Sequence, residues 1–116
     1  LIVMGYDYSY VAIHNENNQF YIRNYVAMNA QKSTVEQLIF SKKINTNTVW
    51  LRVRVIEPNA KCTFSYSLDG DNYINIENPF DAKEGGWIGA KIGLFCTKDF
   101  NTPAGGFVDV EFLTID

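Results

Sequence analysis

Apolar and polar residues alternate with a period of two along most of the chain, which is the pattern of β-strands. Residues 49–55 form one alternating run and residues 62–68 form the next. Because successive side chains of a strand point to opposite faces, each run has one apolar face that predicts a core. The residues predicted to face that core are Val49, Leu51, Val53, Val55, Cys62, Phe64, Tyr66 and Leu68.

Turn signals separate the alternating runs. Asp69 and Gly70 follow the second run, and an Asp-Gly pair predicts a tight type I′ hairpin turn, whose two central residues both have positive φ. The sequence Asn-Glu-Asn-Asn at residues 15–18 predicts another turn, since Asn tolerates left-handed backbone angles. Pro58 lacks an amide hydrogen, so we expect it in the turn between the first two runs.

Further runs complete an all-β pattern. Strands are predicted at residues 5–14, 19–27, 34–40, 73–76, 87–95 and 107–115, and residues 1–4 have the character of a truncated strand. No helical period of useful length interrupts them, and short strands at regular spacing favour an antiparallel β-sandwich. A length of 116 residues is typical of one domain, so residues 1–116 are predicted to form a single sandwich domain.

The run at residues 87–95 carries two glycines on one face, Gly89 and Gly93. Glycine inside a strand leaves no side chain to pack and often marks the close approach of another backbone or a ligand. We therefore expect such an approach at this strand.

Four motifs in this order resemble the C-terminal concanavalin-like β-sandwich domain of family 43 glycoside hydrolases, the β-xylosidase and α-arabinofuranosidase group. They are Leu-Arg-Val-Arg-Val at 51–55, Phe-Ser-Tyr-Ser-Leu-Asp-Gly at 64–70, Trp-Ile-Gly-Ala-Lys-Ile-Gly-Leu-Phe at 87–95 and Gly-Gly-Phe-Val-Asp-Val-Glu-Phe at 105–112. The resemblance spans nearly the whole chain and implies a jelly-roll fold. Such a domain is longer at its N-terminal side, so the chain, which starts on apolar residues without an initiator Met, is expected to lack N-terminal strands and to come from a larger protein.

The resemblance also implies a function. Its parent protein would be a glycosidase acting on xylan- or arabinoxylan-type polysaccharides or oligosaccharides, with the acid and base on a separate catalytic propeller. In that family the sandwich packs against the propeller and reaches one aromatic residue from a loop to the rim of the active-site pocket. By its place before the Gly-Ala of the glycine-bearing strand, that residue here is Trp87; a Trp packed on its own sandwich is the alternative. The resemblance alone favours a periplasmic or secreted location.

Outward positions of the alternating runs suggest a second way to bind sugar. Aromatic rings stack on sugar faces, and guanidinium groups present planar sets of donors to hydroxyl groups. The residues predicted to form one carbohydrate-binding face are Tyr21, Arg23, Tyr25, Trp50 and Arg52, with Arg54, Tyr6, Tyr8 and Tyr10 as further outward positions. The chain would then be an independent carbohydrate-binding module. If another layer covers this face, the chain is an accessory domain or a purely structural sandwich.

Candidates for chemistry within the chain are few. Asp109 and Glu111 share one face of the last predicted strand, and alternation alone explains them as its solvated side, so no catalytic residue is assigned. The opposite face of that strand, Val108, Val110 and Phe112, is predicted to point inward. His14 is the one histidine, which excludes a metal site built from histidines and cysteines. A calcium site through Asp69, Asp71 and Asp109, with Asn72 nearby, stays open, since carboxylate and amide oxygens suit that ion.

Charge, hydropathy and cysteines limit the partners. The net charge is −3 with no block of like charge, so no nucleic-acid partner is predicted. No apolar run approaches the roughly 18 residues of a membrane span. Cys62 and Cys96 are both predicted to point inward, and either a disulfide or two buried thiols would fit that placement.

Overall fold

A computed structural model describes residues 1–87, 89–101, 103 and 105–116. The described part is an antiparallel, all-β sandwich of two sheets, as the alternation predicts. Its strands are β1 (Ile2–Met4), β2 (Tyr8–Glu16), β3 (Gln19–Ala27), β4 (Gln37–Ile44), β5 (Trp50–Ile56), β6 (Lys61–Ser67), β7 (Ile74–Asn75), β8 (Phe80–Asp81) and β9 (Lys91–Gly93). The one helical element in this part is a 3₁₀ turn, Ala30–Lys32, and no helix there is long and apolar enough to cross a membrane.

The first sheet has the strand order β4-β3-β2-β1-β9, and the second has the order β5-β6-β7, with β8 also paired to β6. The second sheet is built around β6, which pairs with β5 along its whole length and with β7 and β8 on its other side. Pro58 lies in the turn between β5 and β6, as expected.

The core lies between the two sheets. Its fully or nearly fully buried members are Val3, Val11, Ile22, Ile44, Cys62, Phe64, Tyr66, Ile76 and Phe80. The rings of Phe40, from the first sheet, and Tyr66, from the second, lie 6.0 Å apart between centroids. Burying each large apolar side chain contributes about 1.5–3 kcal/mol, so this interface holds the sandwich together.

The hairpin of β2 and β3 turns at Asn17 and Asn18, which have φ angles of 52° and 61°. Two consecutive residues with positive φ are what a two-residue hairpin of type I′ requires. The turn predicted at residues 15–18 is therefore confirmed.

The turn at Asp69 differs from the prediction. Only Gly70 of the pair has a positive φ, 87°, and residues 68–73 form a longer loop between β6 and β7. The Asp69 carboxylate accepts hydrogen bonds from the amides of Asp71 at 2.9 Å and Asn72 at 2.8 Å. The Asp69 side chain thus organises a longer loop in place of a tight backbone turn. The prediction of a type I′ hairpin turn at Asp69 and Gly70 is wrong.

Three strand predictions need correction. The run predicted at 34–40 is shifted to Gln37–Ile44, because β4 continues along β3 as far as Phe20, opposite which Ile44 is buried in the core. Among the described residues of the run predicted at 87–95, only Lys91–Gly93 form a strand, and Ile88 lies outside the described residues. The run predicted at 107–115 is not a strand. β9 pairs with β1 on one side, and the described residues place no strand on its other side.

Several residues predicted to point inward are instead exposed. They are Val55, Leu68, Cys96, Val108, Val110 and Phe112. Val55 and Leu68 lie near or beyond the ends of their strands, and the last three belong to the segment that joins neither sheet. Cys62 is buried while Cys96 is exposed, and both thiols are free, so the disulfide is not formed.

Candidate functional site

Trp87 lies in the loop between β8 and β9, and its side chain is 100 % exposed. The alternative that the indole packs on its own sandwich is therefore wrong. The prediction that Trp87 begins a strand is wrong as well, since β9 starts at Lys91.

The base of this loop is held against the bend between β1 and β2. The Tyr6 amide donates to the carbonyl oxygen of Glu84 at 3.2 Å. A Cβ atom added to Gly5 would overlap the carbonyl oxygen of Lys83, and one added to Gly86 would lie 2.7 Å from the Tyr6 hydroxyl oxygen. Glycine is therefore required at Gly5, where a Cβ would overlap backbone atoms, whereas a Cβ at Gly86 would displace only the end of the exposed Tyr6 side chain.

The close approach expected at the glycine-bearing strand is not found there. A Cβ on Gly89 would have nothing within 4 Å, and one on Gly93 would make an ordinary contact with Ile2 at 3.9 Å. The tight approaches occur at Gly5 and Gly86, because the loop packs on the bend before β9 begins.

Asp7 anchors the same bend from inside. Its side chain is 1 % exposed, its Oδ1 accepts the Asn29 amide at 2.6 Å, and its Oδ2 lies 3.0 Å from Nζ of Lys83. Burial pushes the pKa of Asp7 upward, but the Asn29 amide and the Lys83 charge outweigh it and leave the pKa below its usual value. Asp7 is therefore an ionised carboxylate that joins two loops.

A stack of rings covers the outer face of the first sheet. Tyr8 and Tyr10 stack at 6.4 Å, Tyr10 and Tyr25 at 5.3 Å, and Tyr25 and His14 at 5.4 Å between centroids. Phe95 meets Tyr10 edge-on at 5.0 Å. The stacked faces are turned toward each other, so a ligand would meet ring edges and hydroxyl groups.

Glu36 is the polar centre of this stack. It accepts hydrogen bonds from the hydroxyl groups of Tyr8 at 2.7 Å and Tyr10 at 2.9 Å. Burial and the Glu36 carboxylate raise the pKa of Tyr8 to about 12, and the same two causes raise the pKa of Tyr10. Both tyrosines therefore stay protonated as donors at neutral pH.

Arg23 lies beside the stack with its guanidinium engaged. It forms a two-pronged ion pair with Glu16 at 3.0 and 2.9 Å and donates to the Ser41 hydroxyl at 3.3 Å. Its Cζ also lies 4.6 Å from the ring centre of Tyr21. A sugar binding at Arg23 would have to compete with these contacts.

Trp50 and Arg52 lie on the other side of the molecule. They alternate with Leu51, which faces the core, so they belong to the outer face of the second sheet. Arg52 lies 3.6 Å above the ring of Tyr73, and a Cβ on Gly70 would lie 3.0 Å from the Trp50 ring.

The structure therefore brings Tyr21, Arg23 and Tyr25 together and leaves Trp50 and Arg52 on the opposite face of the sandwich. The prediction of one shared surface is wrong. Alternation tells inward from outward positions, but it does not tell which sheet a strand joins.

Comparison with known families decides where this sandwich belongs. The family model described as beta xylosidase C-terminal concanavalin A-like domain matches residues 1–116. The chain belongs to this family. The searches of curated proteins and of solved structures returned no match.

Membership confirms the family resemblance of the four sequence motifs, and the antiparallel sandwich confirms the predicted fold class. The family is described as the C-terminal domain of beta xylosidases, so membership supports the coarse role of an accessory domain of a glycoside hydrolase.

The calcium candidates of this domain do not form a metal-binding cluster in the part of the chain that the structure describes. Within the described ranges, no three Asp, Glu, His or Cys side chains are grouped as a metal ion would need. Hydrogen bonds from the side chain and amide of Asn72, the Asp71 amide and the Ser67 hydroxyl hold the pKa of Asp69 well below its usual range. Asp109 and Glu111 lie in the exposed segment that joins neither sheet.

The sequence patterns did not identify two candidate functional residues of this domain, Asp7 and Glu36. Asp7 lies in a run of tyrosines, where a charged residue two positions after Gly5 is a signal of a bend rather than of a continuous strand. Glu36 is 26 and 28 residues from the tyrosines that it contacts, and no local pattern reports that distance.

Proposed function

We propose that this chain is an accessory, non-catalytic domain of a glycoside hydrolase acting on xylan- or arabinoxylan-type polysaccharides or oligosaccharides. It packs on a catalytic propeller and lends Trp87 to the rim of the pocket. The observation that carries this proposal is the complete exposure of the Trp87 side chain on a loop whose base is fixed by Gly5, Tyr6 and Asp7.

The Trp87 ring has free faces, and the base of its loop is fixed before a sugar binds. Tyr10 and Tyr25 stack on each other, and Tyr21 is covered by Arg23, whereas both faces of the Trp87 indole are open. A loop whose base is held in place before binding loses less entropy when a sugar stacks on its ring. Family membership supports the rest, because the related domains are C-terminal parts of β-xylosidases.

The test uses the parent enzyme with Trp87→Ala. An aromatic contact contributes about 0.5–1.5 kcal/mol, so kcat/KM for xylo-oligosaccharides should fall about two- to tenfold. The loss should be larger for long oligosaccharides than for a small aryl xyloside, because Trp87 would shape the leaving-group side of the pocket.

The matched control is Phe100→Ala, since Phe100 is also 100 % exposed but lies outside the anchored loop. It should leave the kinetics unchanged. Equal effects of the two variants, or none from Trp87→Ala, would contradict the proposal.

A second candidate function is an independent carbohydrate-binding module on the outer face of the first sheet. The specific observation in its favour is the aromatic stack around Tyr10 and Tyr25, with Glu36 as a hydrogen-bonding centre. Oligosaccharides offer hydroxyl groups that would bind to such a centre and to the tyrosine hydroxyl groups at the ring edges.

Calorimetric titration of the 116-residue chain with xylo-oligosaccharides tests this candidate. A binding module would have a dissociation constant between about 1 μM and 1 mM, lost in Tyr25→Ala and kept in Trp50→Ala, whose side chain lies on the opposite face. The absence of heat from a folded sample would reject it. If the chain gives no heat of binding and Trp87→Ala leaves the kinetics of the parent enzyme unchanged, the domain is a purely structural sandwich.

A further inference from the structure

Asp7 is a buried charge outside the hydrophobic core. Its side chain is 1 % exposed, and burying a carboxylate is costly unless a counter-charge and hydrogen bonds compensate. In this sandwich, Lys83 supplies the charge at 3.0 Å and the Asn29 amide supplies a hydrogen bond at 2.6 Å. Because the Asp7 carboxylate is costly to bury, the segments that contain Lys83 and Asn29 show what it holds in place.

The two contacts belong to different loops that meet at one bend. Asn29 begins the turn that leads into Ala30–Lys32, and the next amide, that of Ala30, donates to the Tyr6 carbonyl at 2.8 Å. Lys83 starts the stretch that runs through Glu84 to Trp87, and its carbonyl oxygen fills the space above Gly5. The carboxylate therefore joins the bend before β2 to the loop after β8.

We propose that Asp7 is a positioning residue for Trp87, which holds the base of the indole-bearing loop through its ion pair with Lys83. Its effect on turnover rests on the proposed function at the pocket rim. Its effect on the order of the loop is a property of this chain alone.

The geometry explains why this one carboxylate matters. Three residues separate Lys83 from Trp87, and the Tyr6 amide donates to the carbonyl oxygen of Glu84 at 3.2 Å within that span. The Lys83 side chain is 58 % exposed, so it gains order chiefly from the buried carboxylate at its tip. Without the charge on Asp7, the loop keeps one backbone hydrogen bond to the bend and loses its ion pair.

The first experiment measures ¹⁵N relaxation of the 116-residue chain and of its Asp7→Asn variant. Backbone order parameters are about 0.85 in rigid segments and below about 0.6 in flexible ones. We expect residues 84–87 to be near the rigid value in the native chain and to fall toward the flexible value in Asp7→Asn. Residues of β2 and β3 should keep their values.

The matched control is Glu16→Gln, which breaks the Arg23 ion pair on a different surface and should leave residues 84–87 unchanged. If Asp7→Asn does not fold, Lys83→Gln removes the ion pair and leaves the Asn29 hydrogen bond to Asp7 in place. Unchanged order parameters in a folded variant of either kind would overturn the inference.

The second experiment uses the parent enzyme and a double-mutant cycle. If Asp7 acts through Trp87, Asp7→Asn lowers kcat/KM in wild type but adds nothing in a Trp87→Ala background. Equal losses in both backgrounds would overturn the positioning role. If Asp7→Asn lowers the order parameters of residues 84–87 but Trp87→Ala leaves the kinetics unchanged, the proposed function is rejected. Asp7 would then still position the loop.

Discussion

At the scale of single residues, Asp69 illustrates how a side chain can take the place of a backbone turn. Its carboxylate accepts the Ser67 hydroxyl at 2.9 Å, the amides of Asp71 and Asn72, and the Asn72 side chain at 2.8 Å. A carboxylate that accepts several such donors is stabilised in its charged form, which is why its pKa lies below the usual range. The loop is therefore built for an ionised Asp69.

The pH dependence of unfolding tests this account. Because the folded-state pKa of Asp69 is lowered, its contribution to stability is present above its unfolded value of about 3.9 and is lost as the pH falls below that value. Urea unfolding should show that Asp69→Asn destabilises the chain at pH 7 and that the difference from wild type shrinks at about pH 3.

Asp71→Asn is the control for that measurement, because Asp71 contributes its amide and not its carboxylate to the Asp69 turn. It should cost less than Asp69→Asn at pH 7. A difference between wild type and Asp69→Asn that stays constant with pH would contradict the role of the ionised carboxylate.

At the scale of elements, β6 organises the second sheet. It pairs with β5, β7 and β8, and it contributes the buried Cys62, Phe64 and Tyr66 to the core. Its register with β5 places Phe64 opposite Val53, so the two strands share one apolar face. The integrity of the sandwich should therefore depend on β6 more than on any edge strand.

Truncating Phe64 tests that dependence. Phe64 is 0 % exposed, and replacing a buried Phe by Ala typically costs about 3–5 kcal/mol through lost burial and the cavity that remains. Denaturant unfolding of Phe64→Ala should show a loss of that order. Arg54→Ala, on the exposed outer face of β5, should change the free energy of unfolding by no more than about 0.5 kcal/mol.

At the scale of the whole molecule, the sequence patterns predicted those features that residues close together in the chain determine. The turn at Asn17 and Asn18 was predictable because two adjacent residues supply both positive φ angles. The core face of Phe64 and Tyr66 was predictable because strand alternation is strict. The family resemblance, and not the alternation, indicated the concanavalin-like kind of sandwich that the family model supports.

Contacts between distant segments were not predictable in this way. No spacing relates Asp7 to Lys83 or Tyr10 to Glu36, because each pair meets only after the sheets have formed. The division of the candidate carbohydrate face has the same origin, since Trp50 and Tyr25 are both outward residues of different sheets. The last predicted strand failed because a strand also needs a neighbour to share hydrogen bonds with.

The two thiols offer a practical consequence. Cys62 is 0 % exposed and burial raises the pKa of its thiol, whereas Cys96 is exposed. Since thiol chemistry needs access and the thiolate form, a maleimide reagent should attach to Cys96 and spare Cys62. The domain thus carries its own labelling handle, and a fluorophore there would report docking onto a catalytic partner with Trp87 and its loop left intact.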